Sequence, residues 1–172
     1  MKSNSQKRVC ALLAASALCL SLPLTGCSSP ESGYVKEEIA QKTNAEQTAC
    51  NGTAKGIYDA AASAITDMLT EDSYPISDLD GEYTLQGSDF SLASADSDNA
   101  KDSLKYKMAQ YFTELKKIEQ LKFRISGGSC VYVAVKDELG MYGTYPNALK
   151  DTDAETIDSI SKAAAYAENG AA

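Results

Sequence analysis

The sequence has no histidine and no tryptophan, fewer basic than acidic residues, and only one long apolar run. Without histidine, several chemistries are excluded together: Ser-His-Asp and Cys-His catalysis, mixed Cys/His zinc sites, and HExxH metal sites. Without tryptophan, any aromatic surface must come from the ten tyrosines and three phenylalanines. The chain has 16 Lys and Arg against 24 Asp and Glu, a formal charge of -8. Removal of a leader containing Lys2, Lys7 and Arg8 leaves 13 basic residues and a charge of -11. That balance argues against a nucleic-acid partner, and against adsorption to an anionic lipid surface through a basic patch. At 172 residues and 44% hydrophobic content, the chain is long enough for one domain with a real core. No internal repeat is present.

The apolar run is Val9–Leu22, preceded by a short positive segment from Met1 to Arg8. It is too short to span a bilayer comfortably and has the form of a secretory signal. It leads to Leu24-Thr25-Gly26-Cys27. This tetrad resembles the bacterial lipobox, in which small residues fit the signal peptidase and the cysteine thiol takes a diacylglyceryl group before cleavage. The resemblance implies residues 1–26 as a lipoprotein signal peptide and Cys27 as the lipidated mature N-terminus, carrying palmitate-type acyl chains. Cys10 and Cys19 leave with the signal. Residues 27–33 then read as a lipid-anchored tether and 34–172 as the folded domain. The location expected from this is the outer face of a bacterial cell membrane.

The spacing predicts one helix over Tyr34–Leu69, about 54 Å long if unbroken. Its second half carries Cys50, Ala54, Ile57, Ala61, Ile65 and Met68 on one stripe, which must pack on something. In the first half, Thr43, Glu46 and Gln47 hold the same sector, so that half reads as a solvated stalk. Asn51-Gly52 and Gly56 weaken the helix and mark a place for a kink, each glycine costing about 1 kcal/mol against alanine. Glu71 to Lys101 reads as an irregular acidic connection with one short strand near Tyr83–Leu85. Leu104, Met108, Tyr111, Phe112, Leu115 and Ile118 predict a second helix over Lys101 to Glu119. Leu121, Phe123 and Ile125 alternate with Lys122, Arg124 and Ser126, a strand with one inner face. Gly127-Gly128 turns it into Cys130–Lys136, and Lys136–Gly140 turns that into Met141–Tyr145, a three-stranded antiparallel meander. Thr152-Asp153-Ala154-Glu155 has the spacing of a capping box for a last helix carrying Ile157, Ile160, Ala164 and Ala167 and stopped by Asn169-Gly170. The fold class expected is α+β.

The order of long helix, acidic loop and antiparallel meander resembles the globular part of type IV pilins and pseudopilins. The likeness is best at Thr53-Ala54-Lys55-Gly56-Ile57-Tyr58-Asp59-Ala60-Ala61, similar to the small-residue helix with an Ile-Tyr pair in pilin-like proteins. Lys122-Phe123-Arg124-Ile125, Val131-Tyr132-Val133-Ala134-Val135 and Gly143-Thr144-Tyr145-Pro146 add to it, so the resemblance covers Ile39 to Pro146. The chain departs from the family in having no prepilin-peptidase motif and no apolar half-helix for a filament core. The resemblance therefore implies a pilin-like domain on a lipoprotein, with the lipid on Cys27 in place of the membrane helix, while these departures argue against assembly into a filament.

Candidate chemistry is sparse. Tyr132 and Lys136 have the YxxxK spacing of some dehydrogenases, but that motif belongs on a helix and here lies on a strand. Asp78, Asp80 and Gly81 supply part of a calcium loop, yet Ile76 and Gly87 stand at the first and twelfth positions, so the EF-hand pattern fails. Asp89, Asp96 and Asp98 offer a loose calcium site, against the ordinary reading of a solvated acidic loop. Tyrosines such as Tyr58 and Tyr111 offer a surface for a peptide or glycan, against ordinary packing. Cys50 and Cys130 remain after processing, and a bridge between them would close a long loop and stabilise by roughly 4 kcal/mol. If Val131, Val133 and Val135 face the helix, however, Cys130 points away and Cys50 is a buried thiol.

The expectation is a non-enzymatic lipoprotein with a structural or interaction role at the cell surface. No catalytic residue, metal ligand or cofactor is assigned. Its partners would be the membrane, through the lipid, and a protein or glycan of unknown identity. Two alternatives stand beside it: a surface module binding a glycan, peptide or metal ion through the acidic loop and tyrosines, and an enzyme using two converging carboxylates.

Overall fold

A helix with a single apolar stripe must bury it against another element, and here that element is an antiparallel sheet. The computed structural model describes residues 31–71, 74–91, 93 and 98–170, with side chains from residue 41 onward. Helix α1 spans Glu31–Thr70 and passes Gly52 and Gly56 without interruption, so three residues assigned to the tether are already helical. Cys50, Ala54, Ile57, Ala61, Ala64, Ile65 and Met68 are all buried in one cluster with Leu121, Phe123 and Ile125. The two faces expected to meet do meet. Each fully buried Ile or Met on that stripe is worth roughly 1.5–3 kcal/mol of transfer free energy, which holds the helix to the sheet far more firmly than its own propensity.

The sheet has four strands where three were expected, in the order β1 (Gly81–Leu85), β2 (Gln120–Ser126), β3 (Ser129–Lys136) and β4 (Tyr142–Tyr145). All neighbours are antiparallel. β1 is the short strand read within the acidic loop, and it pairs with β2 from Gly81 opposite Ile125 to Leu85 opposite Leu121. Tyr83 explains the pairing: its ring stacks on Phe123 at 4.5 Å between centroids, and its hydroxyl donates to the Leu79 carbonyl, closing the one-turn helix α2 (Ile76–Leu79) beneath it. Gly127 and Gly128, with φ of 58° and 73°, make the tight β2–β3 turn that requires two positive φ values.

One residue changes the facing of β3. Arg124 pairs with Tyr132 but Ile125 pairs with Cys130, leaving Val131 as the extra residue of a β-bulge. The bulge shifts the alternation, so Cys130 joins Val133 and Val135 in the α1 core, contrary to the parity expected from an even strand. Tyr132 and Ala134 point the other way, into a second core with Leu149, Ile157, Ala163, Ala164, Tyr166 and Ala167. The continuous apolar run of β3 is thus explained by burial on both faces.

That second core is closed by α5 (Ile160–Asn169), so the layers are α1, sheet and α5. The last helix does not start at the Thr152 box. A four-residue helix α4 (Asp151–Ala154) stands there alone, and α5 begins after Ser159, whose side chain accepts from Lys162 N at 3.4 Å. It stops as expected at Gly170 in the left-handed conformation. The second helix is also shorter than its periodicity suggests. α3 covers Ala100–Tyr111, capped by Asn99, and the chain then leaves the helical path at Phe112 into a 3₁₀ stretch, Thr113–Lys117. Leu115 and Ile118 remain buried through that change, and Gly87 N donates to Ile118 O, tying the 3₁₀ stretch to the end of β1.

Candidate functional site

The lipobox residues Leu24, Thr25, Gly26 and Cys27 lie outside the described residues, and so does Asp96. What the fold does define is how α1 leaves the domain. Residues 41–45 are exposed on every side of the helix, whereas Gln47 is 3% exposed. The solvated stalk therefore ends one turn earlier than its polarity suggests. Gln47 Nε2 donates to Tyr142 O at 2.8 Å, and Asn51 meets three backbone groups: it donates to Leu149 O at 2.8 Å and accepts from Thr144 N at 2.9 Å and Leu149 N at 3.3 Å. Two amides one turn apart thus fasten the helix to β4 and to the segment after it. The clue in the sequence was their spacing of four beside Cys50 on the apolar stripe.

The close approach at this junction needs Gly143. A Cβ there would lie 2.2 Å from the Cys50 carbonyl oxygen. Cys50 Sγ contacts Met141 O at 3.5 Å, and Tyr58 meets Tyr145 edge-on at 4.8 Å, so α1 runs alongside β4 in the same direction. Its N-terminal end consequently departs past the β3–β4 turn. No described helix is long and apolar enough to cross a membrane.

The residues singled out for chemistry do not converge. Tyr132 lies under α5 and donates to Glu82 at 2.8 Å, while Lys136, at the other end of β3, pairs with Glu119 at 2.7 Å. Asp89 accepts from Gln86 N at 2.8 Å, which fixes its carboxylate within its own turn. Among the described residues, no group of three potential metal ligands forms. The tyrosines are mostly spent on packing and local bonds: Tyr74 to Ser103, Tyr166 to Asp153, Tyr83 to Leu79, and the exposed Tyr111 to Asp67.

No protein-family model, no curated protein and no solved structure matches the chain. The surface must therefore speak through its own chemistry. Among the described residues, two of the depressions are shallow, of about 210 and 260 Å³. The first holds Glu114, Asp137 and Glu138, but Asp137 Oδ1 accepts from Leu139 N and Met141 N at 2.9 Å each, and Glu114 pairs with Lys117 at 3.3 Å. Asp137 thus holds the turn and Glu114 a surface lysine. The second lies between β4 and the 149–157 segment and is lined by Met141, Tyr142, Leu149 and Ile157.

A polar lattice crosses the α5 side of the sheet. Glu82 accepts from Lys122 and Tyr132, both at 2.8 Å, and Arg124 lies over the Tyr132 ring and pairs with Glu168 on α5 at 2.5 Å. The Lys122 ammonium and then the Tyr132 hydroxyl hold the Glu82 carboxyl below its ordinary value, and burial, then Glu82, holds the Tyr132 phenol well above its own. The Glu82, Arg124 and Glu168 side chains are partly exposed around the buried Tyr132, so their ion pairs add orientation more than stability.

Cys50 and Cys130 are both free and buried. Burial, with the Asp137 carboxylate adding to it, pushes Cys50 up to about 12, and burial alone pushes Cys130 to about 12, from 9.0. A thiolate is the nucleophile, so at neutral pH each should be about a thousandfold less ionised than a free cysteine. Iodoacetamide is expected to leave both unlabelled in the folded protein and to label both in denaturant; labelling of either under native conditions would contradict their burial. Because the folded value is raised, the stability from keeping these thiols neutral is intact below pH 9 and is lost as pH rises toward 12.

Proposed function

We propose that the chain is a lipid-anchored, extracytoplasmic protein at the outer face of a bacterial membrane, in which a pilin-like domain has a non-enzymatic structural or interaction role. The observation that carries this reading is the exposed helix of residues 41–45 standing between the lipobox and the packed domain. From Glu31 to Gln47 the helix rises about 24 Å, which would hold the domain clear of the headgroups on a short tether. The pilin-like part rests on α1 packed against an antiparallel meander and on the Ile57-Tyr58 helix segment. The non-enzymatic part is supported by carboxylates that serve turns and ion pairs instead of meeting across a cleft.

Two or more acyl chains on one cysteine give stable anchoring, whereas one gives only marginal retention. Removing the thiol should therefore change location and not merely affinity. In fractionated cells the wild-type protein is expected with the membranes and accessible to added protease. Cys27→Ala is expected either as uncleaved precursor held by its signal or as domain released to the medium. Processed Cys27→Ala protein in the membrane fraction at the wild-type amount would overturn the reading.

A further inference from the structure

The two edges of the sheet are finished differently. In an antiparallel ladder the backbone groups of successive residues point alternately to the two neighbours. Ser126 faces Ser129 across the tight turn, so Ile125, Phe123 and Leu121 point toward β1 and bond Gly81, Tyr83 and Leu85. The N–H and C=O groups of Glu82 and Thr84 therefore point outward. The same alternation, carried across the bulge, turns Tyr142 and Thr144 of β4 outward, and those groups are met by Gln47 and Asn51 of α1. The β4 edge is closed by side-chain amides. At β1 both outward residues are exposed, and among the described residues nothing bonds their backbone groups. An edge left open in this way is a template for strand addition.

We propose that β1 pairs antiparallel with β1 of a second copy of this chain, about a two-fold axis at Tyr83. The outward residues select the register. Centring on Tyr83 sets Glu82 against Thr84 of the second copy and Thr84 against its Glu82, giving two hydrogen-bonded pairs. Centring on Glu82 would set like charges opposite each other, which destabilises a pair. Because the β4 edge is capped, the pairing closes at two copies and does not propagate into a fibre.

The strand directions add a geometric consequence, which rests on the lipid-anchor reading. α1 runs with β4, hence against β1, so the two-fold axis sends the two stalks out in opposite directions. Paired copies would then be anchored in facing membranes.

The pairing is tested in the mature chain from residue 27 bearing Cys27→Ser, which removes the lipid and leaves the domain intact. Thr84→Pro is the decisive variant, since the Thr84 N–H points outward and its loss spares the β1–β2 ladder. In sedimentation, the parent is expected to shift toward dimer with rising concentration, and Thr84→Pro to stay monomeric with an unchanged circular dichroism spectrum. In a second measurement, Glu82→Cys and Thr84→Cys proteins are mixed and oxidised. Residues opposed in a hydrogen-bonded pair are about 5.5 Å apart, within disulfide range. The mixture is expected to crosslink several-fold more than either protein alone. A parent that stays monomeric throughout, a Thr84→Pro variant that dimerises as the parent does, or equal crosslinking in mixed and single preparations would overturn the pairing. Vesicles carrying the lipidated chain should cluster, and those carrying Thr84→Pro should not; crosslinking without clustering would keep the pairing and overturn the facing-membrane geometry.

Discussion

Replacing Ile57 with aspartate is expected to unfold the domain at ordinary temperatures. Ile57 is fully buried on the α1 stripe, in the cluster that also holds Leu121, Phe123 and Ile125 from the sheet. A carboxylate placed there loses its water without gaining a cation. It must either stay charged in an apolar medium or take up a proton, and both routes cost several kcal/mol. A domain of this size has about 5–15 kcal/mol of net stability, so that cost and the lost packing together consume most of it. Circular dichroism on heating is the measurement. A melting temperature equal to the parent's would mean that the stripe is not packed on the sheet.

Gly143→Ala is expected to be nearly as damaging, although it adds a single methyl group. The new Cβ would lie 2.2 Å from the Cys50 carbonyl oxygen and 2.4 Å from its carbon, and both are helix backbone that cannot rotate aside. The helix must lift from β4, straining the Gln47 bond to Tyr142 O and the Asn51 bonds to Thr144 and Leu149. Overpacking costs about 1–3 kcal/mol and each strained hydrogen bond about 1 kcal/mol, so a fall in Tm of roughly 10–20 °C is expected. Gly52→Ala is the matched control. Nothing lies within 4 Å of the position its Cβ would take, and alanine in a helix interior is worth about 1 kcal/mol over glycine. A small rise in Tm is expected there. If the two alanines behaved alike, the close contact of α1 with β4 would be wrong.

The sequence made some of this visible and hid the rest for identifiable reasons. The α1 stripe and the β2 alternation are periodic over many residues, so each declared its buried face directly. β1 could not do so, because only Tyr83 of its five residues is buried and its identity as a sheet strand depends on a ring stacked across the ladder on Phe123. The facing of Cys130 was lost to one extra residue at Val131, which no period of two can anticipate. The Thr152 box, read as the start of the last helix, belongs to the separate turn of α4. Ser159 caps the last helix instead, and it leaves Ile157 outside α5, where it is buried in the second core. Gln47 read as water-seeking, and Asn51 as a weak point of the helix, because their partners are backbone groups of β4 and the segment after it, 93 to 98 residues further along the chain.

The lipid on Cys27 is the claim on which location, stalk and partner geometry all depend. Its warrant is the run of positive start, short apolar segment and Leu24-Thr25-Gly26-Cys27, followed by a helix whose residues 41–45 are exposed; no described helix is long and apolar enough to cross a membrane. Mass spectrometry of the N-terminal peptide of membrane-associated mature protein is the most direct test. The account predicts a peptide that begins at Cys27 and carries the added mass of a diacylglyceryl group. An unmodified peptide, beginning at any other residue, would contradict it.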